Sequence, residues 1–489
     1  MLKENDLVKH FAGDSLRTIQ EEYGNPLICE DYKVVGINEQ CFAAIFQEIF
    51  KPIYETTEEC FRMYNPATGI WEVVGKENLM NKLSLMLKAY AAWLEVTGIT
   101  KYRKVPVLSN IITLMRGLCA RTDAFAKTGE PYIHCANGMV VFVPCENGLL
   151  KPELRPFSPD YMSRNRTEYI YDPDAQCPDF LGKLLKPAVS DDDIFHLQRY
   201  IGQCLLGENF SQTILLITGA GGGGKSTLVN IVEKLIKRVN CTELRLEHMG
   251  SRFETQRLLG KTLLTSKDVP PNFLNTWGAH KLKALTVKDT LTVEHKGSND
   301  AVDVCCSFNV IITANATLQV SLRGDADAWR RRLIWVTYKN TPPEKKIPDY
   351  DDVLLAQEGA GILRWAVEGA QLLLENNRQL EKSNAQKAKV ESLLNESDSL
   401  SNFVGQMLGE APDCNVTTAE LLEAYKGFCE VIARTSSPLV LFRRITRSGR
   451  EIQEGDSSFG GLSKTRYRYG FSAFRPNHMG NKRGRHGCR

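Results

Sequence analysis

The sequence predicts an α/β protein built on a mainly parallel central sheet, and three observations predict it. Four short apolar runs, TILLIT (213–218), TLLTS (262–266), FNVIIT (308–313) and LIWVT (333–337), have the length and branching of buried strands. A glycine-rich loop joins the first run to TLVNIVEKLIKRV (227–239), where Leu228, Val232, Leu235, Ile236 and Val239 fall on one helical stripe. The long stretch GILRWAVEGAQLLLE (361–375) then reads as a further helix behind the last strand.

The chain of 489 residues is too long for one core and suggests about three domains. Its net charge of +3 implies no partner, but the charge is unevenly spread. Residues 431–489 carry 13 Lys/Arg against three acids, or +10, which leaves the first 430 residues at −7. A basic terminal block on an otherwise acidic chain points to a polyanionic partner. The 14 cysteines include no CxxC pair, so zinc-ligand spacing is absent and the thiols read as buried and reduced. The N-terminus lacks a signal core, and no apolar run approaches the roughly 18 residues of a membrane span. We therefore expect a soluble, cytoplasmic protein with no membrane partner.

Ahead of the sheet, residues 1–55 are ambiguous, with Cys41–Phe50 a possible helix. YNPATGIWEVV (64–74) reads as a turn between two strands, ENLMNKLSLMLKAYAAWL (77–94) as a helix, and NGMVVFV (137–143) as a strand entered through an Asn-Gly turn. SDDDIFHLQRYIGQCLLG (190–207) is an amphipathic helix with Ser190 as its N-cap and acids in its first turn. Beyond the sheet, 376–395 is a polar helix or linker. DSLSNFVGQML, TTAELLEAYKGFCEVI (opened by a capping box from Thr417 to Glu420) and SSPLVLFRRITRSG (436–449) predict three helices. REIQEGDSSFGGLSKTRYRYGF predicts a two-stranded basic wing, and 476–489 a disordered tail.

The glycine loop carries the chemistry. Residues 219–226 fit GxxxxGKS/T between a strand and a helix, the context that the motif requires. Backbone N–H groups must approach phosphate oxygens closely there, and a Cβ would obstruct them. Gly219, Ala220, Gly221, Gly222, Gly223, Gly224, Lys225, Ser226 and Thr227 are the expected nucleotide-phosphate contacts. Lys225 would serve the β/γ phosphates of ATP, and Ser226 would ligate Mg²⁺. Downstream, Asp268 ends one strand as a second metal-side acid, and Asn315 ends another, placed to orient an attacking water. Arg330, Arg331 and Arg332 precede the last strand as candidate arginine fingers, which would act across an interface in a ring of subunits.

Across roughly residues 56–475 the chain resembles the superfamily 3 helicases of the phage and plasmid primase-helicase type, which are hexameric AAA+ motors. The resemblance runs through YNPATGIWEVV, YDPDAQCPDFLGKLL, RYIGQCLLG, RFETQRLLGKTLL, LKALTVKDTLTVEHKG, VIITAN and AWRRRLIWV in family order. It implies an AAA+ P-loop ATPase domain at 201–375, preceded by a mainly helical collar at 56–200. A linker at 376–395 and a winged-helix module at 396–475 would follow. It also implies a Walker B acid at Asp268, a polar sensor at Asn315, and the finger within Arg331/Arg332. A pore hairpin around Asp289 would grip single-stranded DNA through Lys283, Lys288, His295 and Lys296. Arg443, Arg444 and Arg447, with wing residues Lys464, Arg466 and Arg468, would contact duplex DNA. The chain departs from the pattern in having one acid in Lys267-Asp268-Val269 where many relatives have two.

The expected function is that of an ATP- and Mg²⁺-dependent DNA helicase serving replication of a mobile element or virus. Six copies would form the ring, and a separate primase or host replication proteins would be possible partners, because residues 1–55 are too few for a polymerase domain. The alternative is an ATP-switched initiator that melts or marks an origin without processive unwinding. A small-molecule kinase leaves the basic terminus unexplained.

Overall fold

The computed structural model describes residues 4–397 apart from 32, 126–128, 250, 252–253, 277, 295–300, 321–325 and 340–346. It also describes 403, 416–431, 453–455 and 466–468. The N-terminal part is helical with a small antiparallel edge: α1 (Glu4–Phe11), α2 (Asp14–Tyr23), the hairpin β1 (Leu27–Glu30) and β2 (Lys33–Ile37), and α3 (Glu39–Phe50). There follow β3 (Ile53–Glu55), β4 (Cys60–Asn65), β5 (Ile70–Val74), α4 (Lys76–Trp93), α5 (Val105–Leu118) and β6 (Ala120–Arg121). One core joins Leu7, Phe11, Phe42 and Phe46 to Leu83, Leu87, Tyr90 and Ile111. The division expected at residue 55 therefore does not follow the packing, because α1–α3 and α4–α5 bury the same apolar surface.

The collar region is less helical than expected. It holds a four-stranded sheet, β5-β4-β3-β6, and a meander of β7 (Tyr132–Cys135), β8 (Gly138–Pro144) and β9 (Leu150–Arg155). The turn from β7 into β8 is Ala136-Asn137, with Gly138 already paired with Cys135, so the expected Asn-Gly turn is displaced by one residue. The boundary expected at residue 200 falls inside α6 (Asp191–Leu206), where Ser190 caps the helix by accepting from the Asp193 N–H at 3.2 Å.

The central block contains β10 (Ile214–Gly219), α7 (Lys225–Ile236), β11 (Cys241–Glu243), β12 (Leu263–Val269) and α8 (Ala279–Ala284). The hairpin β13 (Asp289–Glu294) and β14 (Ala301–Cys306) precedes β15 (Asn309–Ala314), α9 (Ala326–Arg332) and β16 (Leu333–Tyr338). The sheet is parallel, in the order β11-β12-β15-β10-β16. Period-2 alternation sends Leu215, Ile217, Ile311 and Ile334 to one face and Leu216, Ile312, Leu333 and Trp335 to the other. Helix α7 stops at Ile236, because Lys237 takes a left-handed φ of 78°. Val239, expected on the buried stripe, is instead 63% exposed.

Helix α10 (Tyr350–Glu375) begins well before the predicted 361 and packs backbone to backbone on α6. A Cβ on Gly369 would lie 2.0 Å from the Gln198 carbonyl oxygen, and one on Gly202 only 2.2 Å from the Ala370 nitrogen. Where a polar helix or linker was expected, α11 (Asn384–Ser397) is a helix whose Val390, Leu393 and Leu394 sit in the core under the sheet. Beyond it, β17 (Val416–Thr417), α12 (Thr418–Val431), β18 (Gln453–Gly455) and β19 (Arg466–Arg468) are described. The strands pair in the order β17-β19-β18, and α12 starts directly after Thr417. The predicted helices over 398–408 and 436–449 and the tail at 476–489 lie outside the described residues, except for the helical Phe403. Among the described residues, no helix is long and apolar enough to cross a membrane.

Candidate functional site

The candidate site grows from the C-terminal edge of the parallel sheet, where β10 ends at Gly219. Its neighbour β16 runs so close that a Cβ on Gly219 would sit 2.4 Å from the Tyr338 carbonyl oxygen. Gly222 (φ 80°) and Gly224 (φ 95°) then take left-handed conformations that L side chains rarely adopt. A Cβ on Gly221 would enter the space beside the Asn315 carboxamide, at 3.8 Å from its oxygen. The loop is thus a backbone cradle with its side chains removed, and it delivers the chain into the first turn of α7. Ser226 and Thr227 lie half-buried in that turn.

Lys225 is 3% exposed. Its ammonium donates to Gly219 O at 2.7 Å, Ala220 O at 2.9 Å and Asn315 Oδ1 at 3.0 Å. Burial holds its pKa below the usual lysine value, and the charge of Asp268 opposes this. Asn315 reaches the lysine because β15 lies beside β10 and ends level with it: Thr218 pairs with Ala314. Asp268 is brought in by an irregularity. The register of β12 against β15 shifts between Ser266 and Val269, Asp268 adopts a φ of 52°, and its N–H donates to Thr313 Oγ1 at 3.0 Å. Such a bulge re-aims side chains at the rim of a sheet. Lys225, at the start of α7, thus meets Asn315 beyond the end of β15, and Asp268 near the end of β12 lies close enough for its charge to act on the lysine.

The neighbour of Asp268 is not a second acid in any sense. Lys267 donates to Asn230 Oδ1 at 2.7 Å and Glu233 Oε2 at 2.9 Å, both on α7, while Thr265 donates to Glu233 Oε1 at 2.7 Å. The residue ties β12 to the helix that follows the loop. No group of three or more potential His, Cys, Asp or Glu metal ligands exists among the described residues.

The three consecutive arginines part company. Arg330 forms a two-pronged pair with Glu391, at 2.8 and 3.1 Å, and also meets Asp327. Arg332 turns back to Ala328 O at 3.2 Å. Arg331 is exposed and directs its side chain to no acid among the described residues. All three stand at the opposite edge of the sheet from the loop, since Leu333 pairs with Ile214 whereas Tyr338 pairs with Gly219. At about 3.3 Å per residue, Arg331 lies roughly 17 Å or more from the loop of its own chain.

Of the residues expected to meet DNA, Lys283, Lys288, Arg466 and Arg468 are among the described residues. Lys283, on α8, stacks over the Trp329 ring at 4.8 Å, and Lys288 pairs with Glu208 at the base of the hairpin. The hairpin is formed, with Asp289 opposite Cys306, but His295 and Lys296 lie outside the described residues. Arg443, Arg444, Arg447 and Lys464 also lie outside them, while Arg466 and Arg468 belong to β19.

Sequence reasoning missed the support behind the loop. Trp335 Nε1 donates to Thr218 Oγ1 at 2.8 Å, one residue before Gly219. Gln386 spans the Trp335 backbone, accepting its N–H at 3.0 Å and donating to its carbonyl at 2.9 Å. An unpaired polar residue in a polar stretch gives no sequence signal for such a contact.

A family model described as a family of unknown function (DUF5906) matches residues 217–332. Among solved structures, the chain is similar to the apo structure of the NrS-1 C terminal region (305-718), with a TM-score of 0.49 and 13% identity over 88% of this chain and 98% of that one. An A form apo structure of the same region gives a TM-score of 0.45 at 13% identity and the same coverage. No curated protein matches the chain.

Proposed function

We propose that this chain is an ATP-driven DNA translocase related to replication, working as a ring in which neighbouring copies share each ATP site. The observation that carries this reading is the separation of Arg331 from the loop by the full height of the sheet. An exposed guanidinium that far away cannot serve its own nucleotide, but it can reach the loop of an adjoining copy packed head to tail.

In this reading the loop from Gly219 to Thr227 cradles the phosphates with its N–H groups, aided by the N-terminus of α7. The cradle fits a phosphate chain, because the space a Cβ would fill at Gly221 lies beside the Lys225 and Asn315 groups. Lys225 exchanges its carbonyl partners for phosphate oxygens. Ser226 and Asp268 would hold Mg²⁺, which supplies charge neutralisation on the phosphates. Asn315 orients the attacking water, and Arg331 of the adjoining copy stabilises charge that develops as the γ-phosphoryl leaves. Lys296, in the sequence between β13 and β14, would meet a strand in the ring's channel, and the basic C-terminal block holds duplex DNA by its phosphates.

Strand displacement on a forked DNA substrate tests this function. ATP-dependent release of the displaced strand, lost in Arg331→Ala, is the expected result. ATP turnover that DNA does not stimulate would refute the translocase, and turnover with stimulation but no strand release would favour the origin-marking initiator.

A further inference from the structure

Helix α9 runs directly into β16, with Arg332 followed at once by Leu333. No glycine can close its C-terminal turn, so the last carbonyls would ordinarily be orphaned. Lys382 takes that role from 51 and 52 residues away. Its ammonium donates to Arg330 O at 2.5 Å and Arg331 O at 2.9 Å, a cation at the negative end of a helix. Burial, with the charge of Lys387 adding to it, draws the Lys382 pKa down to about 8, so its charge is held largely out of water by these carbonyls.

The rest of the segment locks this contact in place. Glu391 grips the Arg330 guanidinium with both oxygens, Gln386 brackets Trp335 on the adjoining strand, and Lys389 meets the buried Asp193 at 2.7 and 2.8 Å. Arg331 therefore projects from a backbone clamped on both sides, while its own side chain stays exposed.

We infer that Lys382 is a positioning residue for Arg331, fixing the end of α9 so that the guanidinium reaches the ATP site of the adjoining copy. The inference rests on the proposed sharing of that site. It places the defect of a Lys382 variant in the neighbour's chemistry rather than in the variant's own loop.

That displacement makes the test specific. In the full-length protein, Lys382→Met is expected to lower kcat about tenfold with the KM for ATP unchanged, since a small misplacement can cost up to about 10²-fold in rate. Lys382→Arg should restore most of the loss. The decisive step is to add Lys225→Ala protein, which is dead by itself but supplies well-placed arginines. Turnover per Lys382→Met subunit should then rise severalfold, which a local folding defect cannot produce. Glu391→Gln, which loosens the Arg330 grip, should show a weaker version of the same rescue and serves if Lys382→Met does not fold. A wild-type kcat in Lys382→Met, a raised KM for ATP, or no rise on adding Lys225→Ala protein would overturn the inference. Recovery of activity by mixing Lys225→Ala with Arg331→Ala, without the Lys382 effects, would sink the positioning role alone.

Discussion

The two edges of the central sheet are built on opposite principles. At the C-terminal edge, glycines, a buried lysine, a carboxamide and a bulged aspartate come together. At the N-terminal edge, polar groups satisfy one another: Gln203 donates to Asn209 at 3.0 Å and to Asn309 at 2.9 Å, and Asn209 donates to Thr213 O and Phe308 O at 2.8 and 2.9 Å. The amides of Gln203, Asn209 and Asn309 thus satisfy one another, which limits the cost of burying them. Near that edge Arg331 stands as an exposed cation, whereas its exposed neighbour Arg330 is held by Glu391. Under the proposed function, the site on one edge is completed by another chain, with Arg331 on the opposite edge supplying the charge.

The largest effect should come from breaking the open edge. Lys225→Ala is expected to reduce ATP hydrolysis by at least about 10³-fold, on the scale known for groups that stabilise phosphoryl transfer. The melting temperature should hardly move, because the lysine's burial offsets its hydrogen bonds. Calorimetry beside a turnover assay checks both. Asn209→Leu should do the reverse: about 3 kcal/mol of stability lost in urea unfolding, from the stranded partners of a buried amide, with kcat/KM retained in the folded fraction.

A third region, outside both edges, sharpens the comparison through pH. His134 is buried, with Nε2 donating to Thr68 O at 2.9 Å and Nδ1 at 2.8 Å from Ser163 Oγ. Burial holds its pKa down to about 4, against an ordinary value of 6.5. The unfolded chain therefore binds the proton first, and stability falls as pH drops from 6.5 to about 4. A shift of this size corresponds to roughly 3 kcal/mol by linkage. Denaturant unfolding at pH 7 and pH 4 should show the loss, and His134→Gln should flatten that part of the profile. The smallest effect is expected at Trp335→Phe, which removes the indole donor to Thr218 at the cost of about 1 kcal/mol. A change in kcat much beyond twofold there would mean that the support behind the loop is catalytically important.

Legibility in the sequence followed the range of the interactions. The loop, its flanking strand and helix, and the Ser190 cap were readable because each is specified within a few residues. The parallel strands were readable as apolar runs, and with them the positions of Asp268 and Asn315 at the ends of β12 and β15. The register break that lifts Asp268 was not, since nothing in Lys267-Asp268-Val269 announces a bulge. Nor was the helix stop at Lys237, a residue with no preference for a left-handed backbone. The stretch 376–395 read only as a polar helix or linker because Lys382, Gln386 and Glu391 look like solvated charge and polarity until partners 51 to 61 residues away are folded against them. The union of α1–α3 with α4–α5 in one core is likewise a long-range fact.

The central claim is that one chain's loop works with another chain's arginine, and mixing two dead proteins tests it directly. Lys225→Ala and Arg331→Ala should each be inactive alone. Combined in equal amounts and allowed to exchange subunits, they should regain about a quarter of wild-type turnover, since random neighbours pair an intact loop with an intact arginine at about one interface in four. A mixture no more active than its two components would contradict the account.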